Sequence, residues 1–278
     1  MSNLSDFLGI PDFIPIELLV VGGGGGGGHK LTTTGTFFTA GGGAGQVIYG
    51  NINALTSITY NITVGTGGTG MVFATSASGS EGQPSFFGSL KAYGGGRGGY
   101  YNETAPIPTN EQFFAGSTGG AGGGPAIVGS TIVPFPRTNC VEYLNFSNSG
   151  GNSATNGAGA GQGGGAGGVG VSDASYTQIP TNGLDLDITG TTETYAVGGR
   201  VGWNFISPAP SIYGQGGAGG KITSPTADAQ DGGGGVVIIA YPDTYPAPLA
   251  ITGTYDNLTT RPGYRVYRWT DGTGTVKF

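Results

Sequence analysis

The chain has 278 residues, of which 62 are glycine and only 9% are charged, and its formal net charge is −6. This acidic balance leaves no basic patch for nucleic acid, and no apolar run reaches the length of a transmembrane helix, so membrane insertion is not expected. So much glycine is typical of low-complexity disorder. A hydrophobic content of 36%, including 10% aromatic residues, nevertheless predicts a folded chain.

Residues 1–15 begin the chain with one predicted helical turn around residues 5–8, which Gly9 and Pro11 stop. Apolar side chains that include Phe7, Leu8 and Phe13 predict a docking arm for assembly. A tail folded onto its own domain would show the same residues, so both interpretations stay open.

Short strands separated by glycine runs follow this arm. Residues 18–21 (LLVV) lead into seven consecutive glycines at 22–28, and near the other end glycines 232–235 lead into VVIIAY at 236–241. Between them, strands are predicted at 36–39, 46–49, 57–64 and 86–93. Glycine or proline interrupts nearly every helical window. The predicted fold class is therefore all-β and irregular, with no substantial α-helix.

The glycine runs have four alternative interpretations. Flexible linkers do not recur between aromatic strands inside one domain, and the strict third-position glycine of collagen is missing. Polyglycine II helices, which have three residues per turn and no internal hydrogen bonds, can pack side by side and satisfy one another's backbone groups. A packed bundle of such helices combined with short strands is the prediction, and irregular glycine loops on a β-sandwich are the alternative.

Nucleotide-binding motifs fail on the residues next to the first glycine run. A dinucleotide fingerprint needs a helix where LTTTGTFF stands, and a P-loop needs Lys directly after the last glycine, where His29 stands instead. His29 is the only histidine, and Cys140 is the only cysteine and has no sequence signal for activation. Asp185 and Asp187 share one face of a strand, where they could bind calcium or lie in solvent as edge carboxylates. We therefore expect no enzyme activity, no metal site and no cofactor; a polysaccharide depolymerase would need a paired carboxylate cleft.

Several segments together resemble the glycine-rich domain of bacteriophage tail and fibre proteins. They are ELLVVGGGGGGG (17–28), PSFFGSLKAYGGG (84–96), TYAVGG (194–199), GGGGVVIIAYPD (232–243) and, as a β-module that accompanies such domains, GYRVYRWTDGTGTVKF (263–278). The ending resembles that of cyanophage structural proteins. The resemblance implies a glycine-rich β/polyglycine-helix domain at 16–243 and a small C-terminal β-module at 244–278, whereas the docking arm at 1–15 is an addition to the family pattern. It also implies a virion location and other virion proteins as partners.

In phage adhesins of similar character, packed polyglycine helices form a rigid core and loops at one end touch the host surface. The resemblance therefore implies a tail-fibre or fibre-tip protein whose receptor is a glycan or an outer-membrane protein. A head decoration or tail accessory protein with a purely structural role is the alternative. Aromatic side chains in the inserts between glycine runs are the candidates for receptor or partner binding, unless they pack over the glycine core: Tyr100, Tyr101, Phe113, Phe114, Trp203, Phe205 and Tyr213.

The last residues predict a hairpin around Asp271–Gly274, with Tyr264 and Trp269 on its first strand. Edge strands pair readily with other chains. We therefore expect this hairpin or the 1–15 arm to mediate assembly, with a symmetric homo-oligomer as the result.

Overall fold

The computed structural model describes residues 12–29, 39–73, 79–99, 145–146, 160–168, 170, 172–173, 181–202, 209–220 and 227–278. Within these ranges the secondary structure is entirely β, which confirms the predicted fold class. The strands are β1 (Phe13–Val21), β2 (Val47–Leu55), β3 (Thr59–Thr63), β4 (Ser85–Phe87), β5 (Leu90–Ala92), β6 (Asn145–Phe146), β7 (Ala160–Gly161), β8 (Ser172–Asp173), β9 (Leu184–Leu186), β10 (Glu193–Tyr195), β11 (Val236–Pro242), β12 (Ala250–Thr252), β13 (Tyr255–Leu258), β14 (Tyr264–Trp269) and β15 (Thr273–Lys277).

A six-stranded antiparallel sheet is built around the first strand. Its order is β13-β14-β11-β1-β2-β6, so the two apolar segments at opposite ends of the sequence, β1 and β11, are direct neighbours. Strand β1 starts earlier than predicted and includes Pro15, which has a register partner on β2 but none on β11. Proline is tolerated there because its missing N–H faces a side without a ladder partner.

A five-stranded sheet, with the order β12-β15-β3-β4-β5, packs against the first. Even-numbered residues of β1, Ile14 to Val20, share one buried apolar cluster with Ile62, Phe87 and Val276 of the second sheet. Because side chains alternate across a strand, Leu19 and Val21 join a different cluster on the opposite face, where β9 and β10 contribute Leu184 and Tyr195. The first sheet is thus apolar on both faces, which explains the unbroken apolar run in β1.

Two expectations about strand pairing are wrong. Residues 86–93 do not form one strand, because Gly88, with a φ of +57°, turns the chain between β4 and β5, which pair with each other. The expected C-terminal hairpin is also absent: β14 pairs with β11 and β13, whereas β15 pairs with β3 and β12. Strands β14 and β15 therefore belong to different sheets, and segment 244–278 contributes strands to both of them.

The glycine segments extend from one end of these sheets. Strand β1 runs into 22–28, β3 into 64–73, β5 into 93–99 and β10 into 196–202, while 40–46, 79–84 and 227–235 lead back into β2, β4 and β11. Of the strand predicted at 36–39, only Thr39 lies within the described residues, where it forms a bridge with Gly202. No helix in the described part of the chain is long and apolar enough to cross a membrane.

Candidate functional site

The seven glycines at 22–28, here called the central segment, donate their backbone N–H groups to three different neighbours in turn. All seven hydrogen bonds are 2.9–3.0 Å long. Gly22, Gly25 and Gly28 donate to the carbonyls of Gln46, Gly43 and Ala40; Gly23 and Gly26 donate to Gln83 and Ser80; and Gly24 and Gly27 donate to Gly233 and Gln230. Acceptor numbers fall by three as donor numbers rise by three, so these three neighbours are antiparallel to the central segment.

The carbonyl groups of the same segment bind three further neighbours, at 2.8–3.0 Å. Gly23 and Gly26 accept from Gly95 and Gly98, Gly24 and Gly27 from Gly68 and Met71, and Gly25 and Gly28 from Gly217 and Gly220. These three neighbours are parallel to it. A single segment of bare backbone is thus surrounded by six others, and we call the seven together the glycine lattice (22–28, 40–46, 65–71, 79–84, 93–99, 213–220 and 227–235). A repeat of three residues is what polyglycine II helices require; that assignment stays a prediction.

Close approach of the backbones is the reason that glycine occupies every position of the central segment. A Cβ atom on any of the seven residues would lie under 3.0 Å from a backbone carbonyl oxygen of a neighbour. These oxygens belong to 93–99 for every third residue, and to 65–71 and 213–220 for the residues between. Backbone oxygens cannot rotate aside as a flexible side chain can, so no other amino acid fits this core.

Polar side chains at the rim of the lattice bind backbone groups that have no glycine neighbour. Ser85 Oγ accepts from Gly65 N at 2.9 Å and donates to the carbonyl of Val21 at 2.6 Å. Asp231 and Asp228 accept from the backbone N–H groups of Gly70 and Phe73 at 2.7 and 2.8 Å. Such bonds satisfy donors that would otherwise weaken the edge. The sequence analysis missed these residues, although the three-residue spacing of the two aspartates is the signal that could have found them.

His29 closes the central segment at the end remote from the strands. Its ring is fully buried, its Nε2 lies 2.8 Å from the carbonyl of Ala227, and the ring of Phe73 is 5.1 Å away. A histidine nitrogen must donate to a carbonyl. His29 therefore follows one lattice segment (22–28) and contacts the ends of two others, at Phe73 and at Ala227. These contacts give it a packing role.

An ion pair lies on the first sheet where β9 and β10 cover it. Arg261 Nη1 is 2.6 Å from Glu17 Oε2, both side chains are largely buried, and the guanidinium lies 3.8 Å from the centre of the Tyr264 ring. Tyr49 donates its hydroxyl hydrogen to the other oxygen of Glu17. Burial, followed by this bond and the charge of Glu17, raises the pKa of Tyr49 to about 12. The Glu17 carboxylate on β1 thus contacts Tyr49 on β2 and Arg261 in the segment before β14.

The raised pKa of Tyr49 predicts a loss of stability at alkaline pH. A tyrosine whose folded pKa exceeds its ordinary value near 10 stabilises the fold below pH 10 and loses that contribution as pH rises from 10 to 12. We expect the melting temperature of Tyr49→Phe to fall less between pH 9 and pH 11.5 than that of the wild type, as measured by scanning calorimetry. An identical fall in both proteins would contradict the prediction.

Arg268 forms a second ionic cluster on the same face. Its Nε and Nη2 donate to Asp256 at 3.1 and 2.9 Å, and Glu193 lies 3.9 Å from its Nη1. The guanidinium lies 5.9 Å from the ring of Tyr213, which stacks in turn on Tyr195. Tyr213, predicted as a binding residue, is therefore half-buried beside the sheet rather than on a free loop.

The other predicted residues divide between the described core and the rest of the chain. Tyr100, Tyr101, Phe113, Phe114, Trp203, Phe205, Phe7, Leu8 and Cys140 lie outside the described residues. Of the predicted assembly residues, Phe13 is 47% exposed, Tyr264 is half-buried against Arg261, and Trp269 is fully buried. Trp269 donates a hydrogen bond from Nε1 to the carbonyl of Thr252 at 3.1 Å, so its indole ring packs and hydrogen-bonds within its own chain.

An apolar cleft of about 230 Å³ opens between the two sheets beside β2. Its lining is mostly aliphatic and aromatic, includes Ile48, Ile52 and Leu90, and contains no charged side chain. Across the described ranges, no group of three His, Cys, Asp or Glu side chains could hold a metal ion. Asp185, a candidate calcium ligand, accepts a hydrogen bond from Thr194 at 2.6 Å. The cleft therefore presents apolar surface, and its lining contains no group of side chains arranged for catalysis.

Comparison with known proteins agrees with this architecture at the level of the domain. None of the curated proteins matches the chain. The model of the family described as glycine-rich domain matches residues 9–242, which include β1, β11 and every segment of the glycine lattice. The chain therefore belongs to the glycine-rich domain family.

Proposed function

We propose that this protein is a non-enzymatic structural component of a bacteriophage virion, in a tail fibre or at a fibre tip, where it attaches the particle to its host. The lattice is the rigid scaffold, its segments are polyglycine II helices, and the aromatic inserts between glycine runs bind a surface glycan or an outer-membrane protein. Partners within the particle are other virion proteins and further copies of the same chain.

The observation that carries the proposal is the central segment with its six hydrogen-bonded neighbours. A core made of backbone alone leaves few side chains for chemistry, and it holds the ends of its segments in a fixed pattern. Gly28, Phe73, Gly99 and Gly220 lie at the end of the lattice that is remote from the sheets. In the sequence, these four positions are followed by segments 30–38, 74–78, 100–144 and 221–226. A rigid scaffold with several connections at one end is suited to presenting a composite binding surface.

The predicted aromatic residues provide the test. We expect the labelled full chain to bind susceptible cells saturably and to block infection, and we expect Trp203→Ala with Phe205→Ala to weaken binding by roughly 30-fold, because an aromatic hot spot contributes about 2 kcal/mol. Tyr255→Ala, which removes a partly exposed ring from the sheet end, is the matched control and should bind normally.

Two outcomes would contradict the attachment role. If the folded wild type does not bind, and antibodies against it label phage heads, the protein is a decoration component. If it binds but the double variant binds equally well, attachment does not use these aromatic residues. Each variant must be folded at the temperature of the binding assay before either conclusion is drawn, as circular dichroism can show.

A further inference from the structure

Exposed large apolar side chains concentrate at the end of the sheets that faces away from the glycine lattice. Phe13 is 47% exposed, Leu55 44%, Ile58 42% and Leu249 66%. We call these four residues the base patch. Soluble chains rarely expose apolar side chains in groups, and a contiguous group marks a contact surface.

The sheet registers place the four residues of the base patch at the same end of the two sheets. Phe13 and Leu55 are direct cross-strand partners at the ends of β1 and β2. The backbone N–H of Ile58 donates to the carbonyl of Leu55 at 3.3 Å, so the turn after β2 belongs to the same surface. Leu249 directly precedes β12, whose first residue pairs with Lys277, and Lys277 pairs with Thr59 beside Ile58. The patch therefore spans the ends of both sheets.

Residues 1–11 enter the fold at this same place. The carbonyl of Asp12 accepts from the backbone N–H of Thr56 at 3.1 Å and from its hydroxyl at 3.3 Å, which fixes the chain beside Leu55. The preceding sequence carries Phe7, Leu8 and Ile10. Pro11 follows Ile10, and a residue before proline is biased towards extended backbone. Asp12 and Thr56 continue the register of β1 and β2, so the described chain begins in line with β1 at the end where that strand leaves the sheet.

We propose that the base patch receives the apolar arm of a second copy of this chain, and that the two copies exchange arms about a twofold axis. In such an isologous contact each copy contributes the same arm and the same patch. The inference rests on the proposed assembly role of the arm and does not depend on a virion location.

Sedimentation equilibrium of the full chain measures this contact without a host or a phage particle. We expect a wild-type dimer, and we expect Leu55→Ser with Ile58→Ser to raise its Kd about 100-fold, because two exposed aliphatic side chains lose their partners. Phe7→Ser with Leu8→Ser should raise it to a similar extent. The variant with all four substitutions should have nearly the same Kd as either double variant, because both pairs of substitutions remove the same contact.

Val72→Ser is the matched control, since Val72 is 44% exposed but lies in the lattice part of the chain. It should leave the Kd unchanged, and at concentrations where all the proteins are monomeric every variant should keep the wild-type melting temperature, because surface substitutions change stability little. A monomeric wild type, or additive effects of the two pairs, would overturn the proposal. Stronger association of the arm variant would also overturn it, because the arm would then cover its own patch.

Discussion

Replacing Gly25 with alanine is expected to destabilise the protein by about 3 kcal/mol or more. The new Cβ would lie under 3.0 Å from the carbonyl oxygen of Gly96 and from other backbone atoms of the same neighbour. The neighbours can make room only by separating, which would strain the hydrogen bonds that Gly25 makes to Gly43 and Gly217 at 2.9 and 2.8 Å. Urea unfolding followed by circular dichroism measures the loss.

Gly50→Ala is the matched control for this experiment. Gly50 lies in β2, and a Cβ there would meet no atom within 4 Å, so alanine should be tolerated or slightly stabilising. If Gly25→Ala unfolded at the same urea concentration as Gly50→Ala, the central segment would be a linker, and the glycine lattice could not be the core of the protein.

Replacing Trp269 with alanine should cost about 3–5 kcal/mol, the range found for deletion of a large buried aromatic side chain. Trp269 is fully buried in the cluster between the two sheets. It lies on β14, opposite Val237 on one side and Tyr255 on the other, and its Nε1 binds the carbonyl of Thr252 next to β12. Its removal would leave a cavity where the C-terminal strands meet both sheets. Scanning calorimetry at several protein concentrations checks the prediction.

Tyr264→Ala separates this core role from a role in assembly. Tyr264 lies on the same strand but is only half-buried, so its replacement should cost less than half as much. If Trp269→Ala instead kept the wild-type melting temperature and only shifted the equilibrium towards monomer, Trp269 would be an assembly residue, as the sequence pattern suggested.

Local patterns in the sequence were sufficient to predict the elements that depend on few neighbours. The apolar run before Gly22 and the run after Gly235 predicted β1 and β11, because β-branched residues next to glycine favour strands over helices. The recurrence of glycine blocks predicted close backbone packing, since only glycine lacks the Cβ that would separate two chains. The absence of helices from the described residues followed from the same spacing of glycine and proline.

Pairing between distant residues could not be predicted from these patterns. Strands β14 and β15 look like a hairpin in sequence, but β14 pairs with the apolar strand β11 and β15 pairs with β3 in the other sheet. The ion pair between Glu17 and Arg261 joins residues that only the sheet brings together. The predicted binding aromatics other than Tyr213 lie outside the described residues, and the binding roles of all of them stay predictions.

Composition and glycine spacing by themselves determined that the described part of this chain is all-β and has a core in which backbones touch. Tertiary structure decided which segment surrounds which, because a glycine carries no side chain that could specify a neighbour. That information comes from the strands that flank each run and from rim residues such as Ser85 and Asp231, whose hydrogen bonds fix the alignment of adjoining segments. The base patch likewise exists only because the sheets bring Phe13, Leu55 and Ile58 to one end.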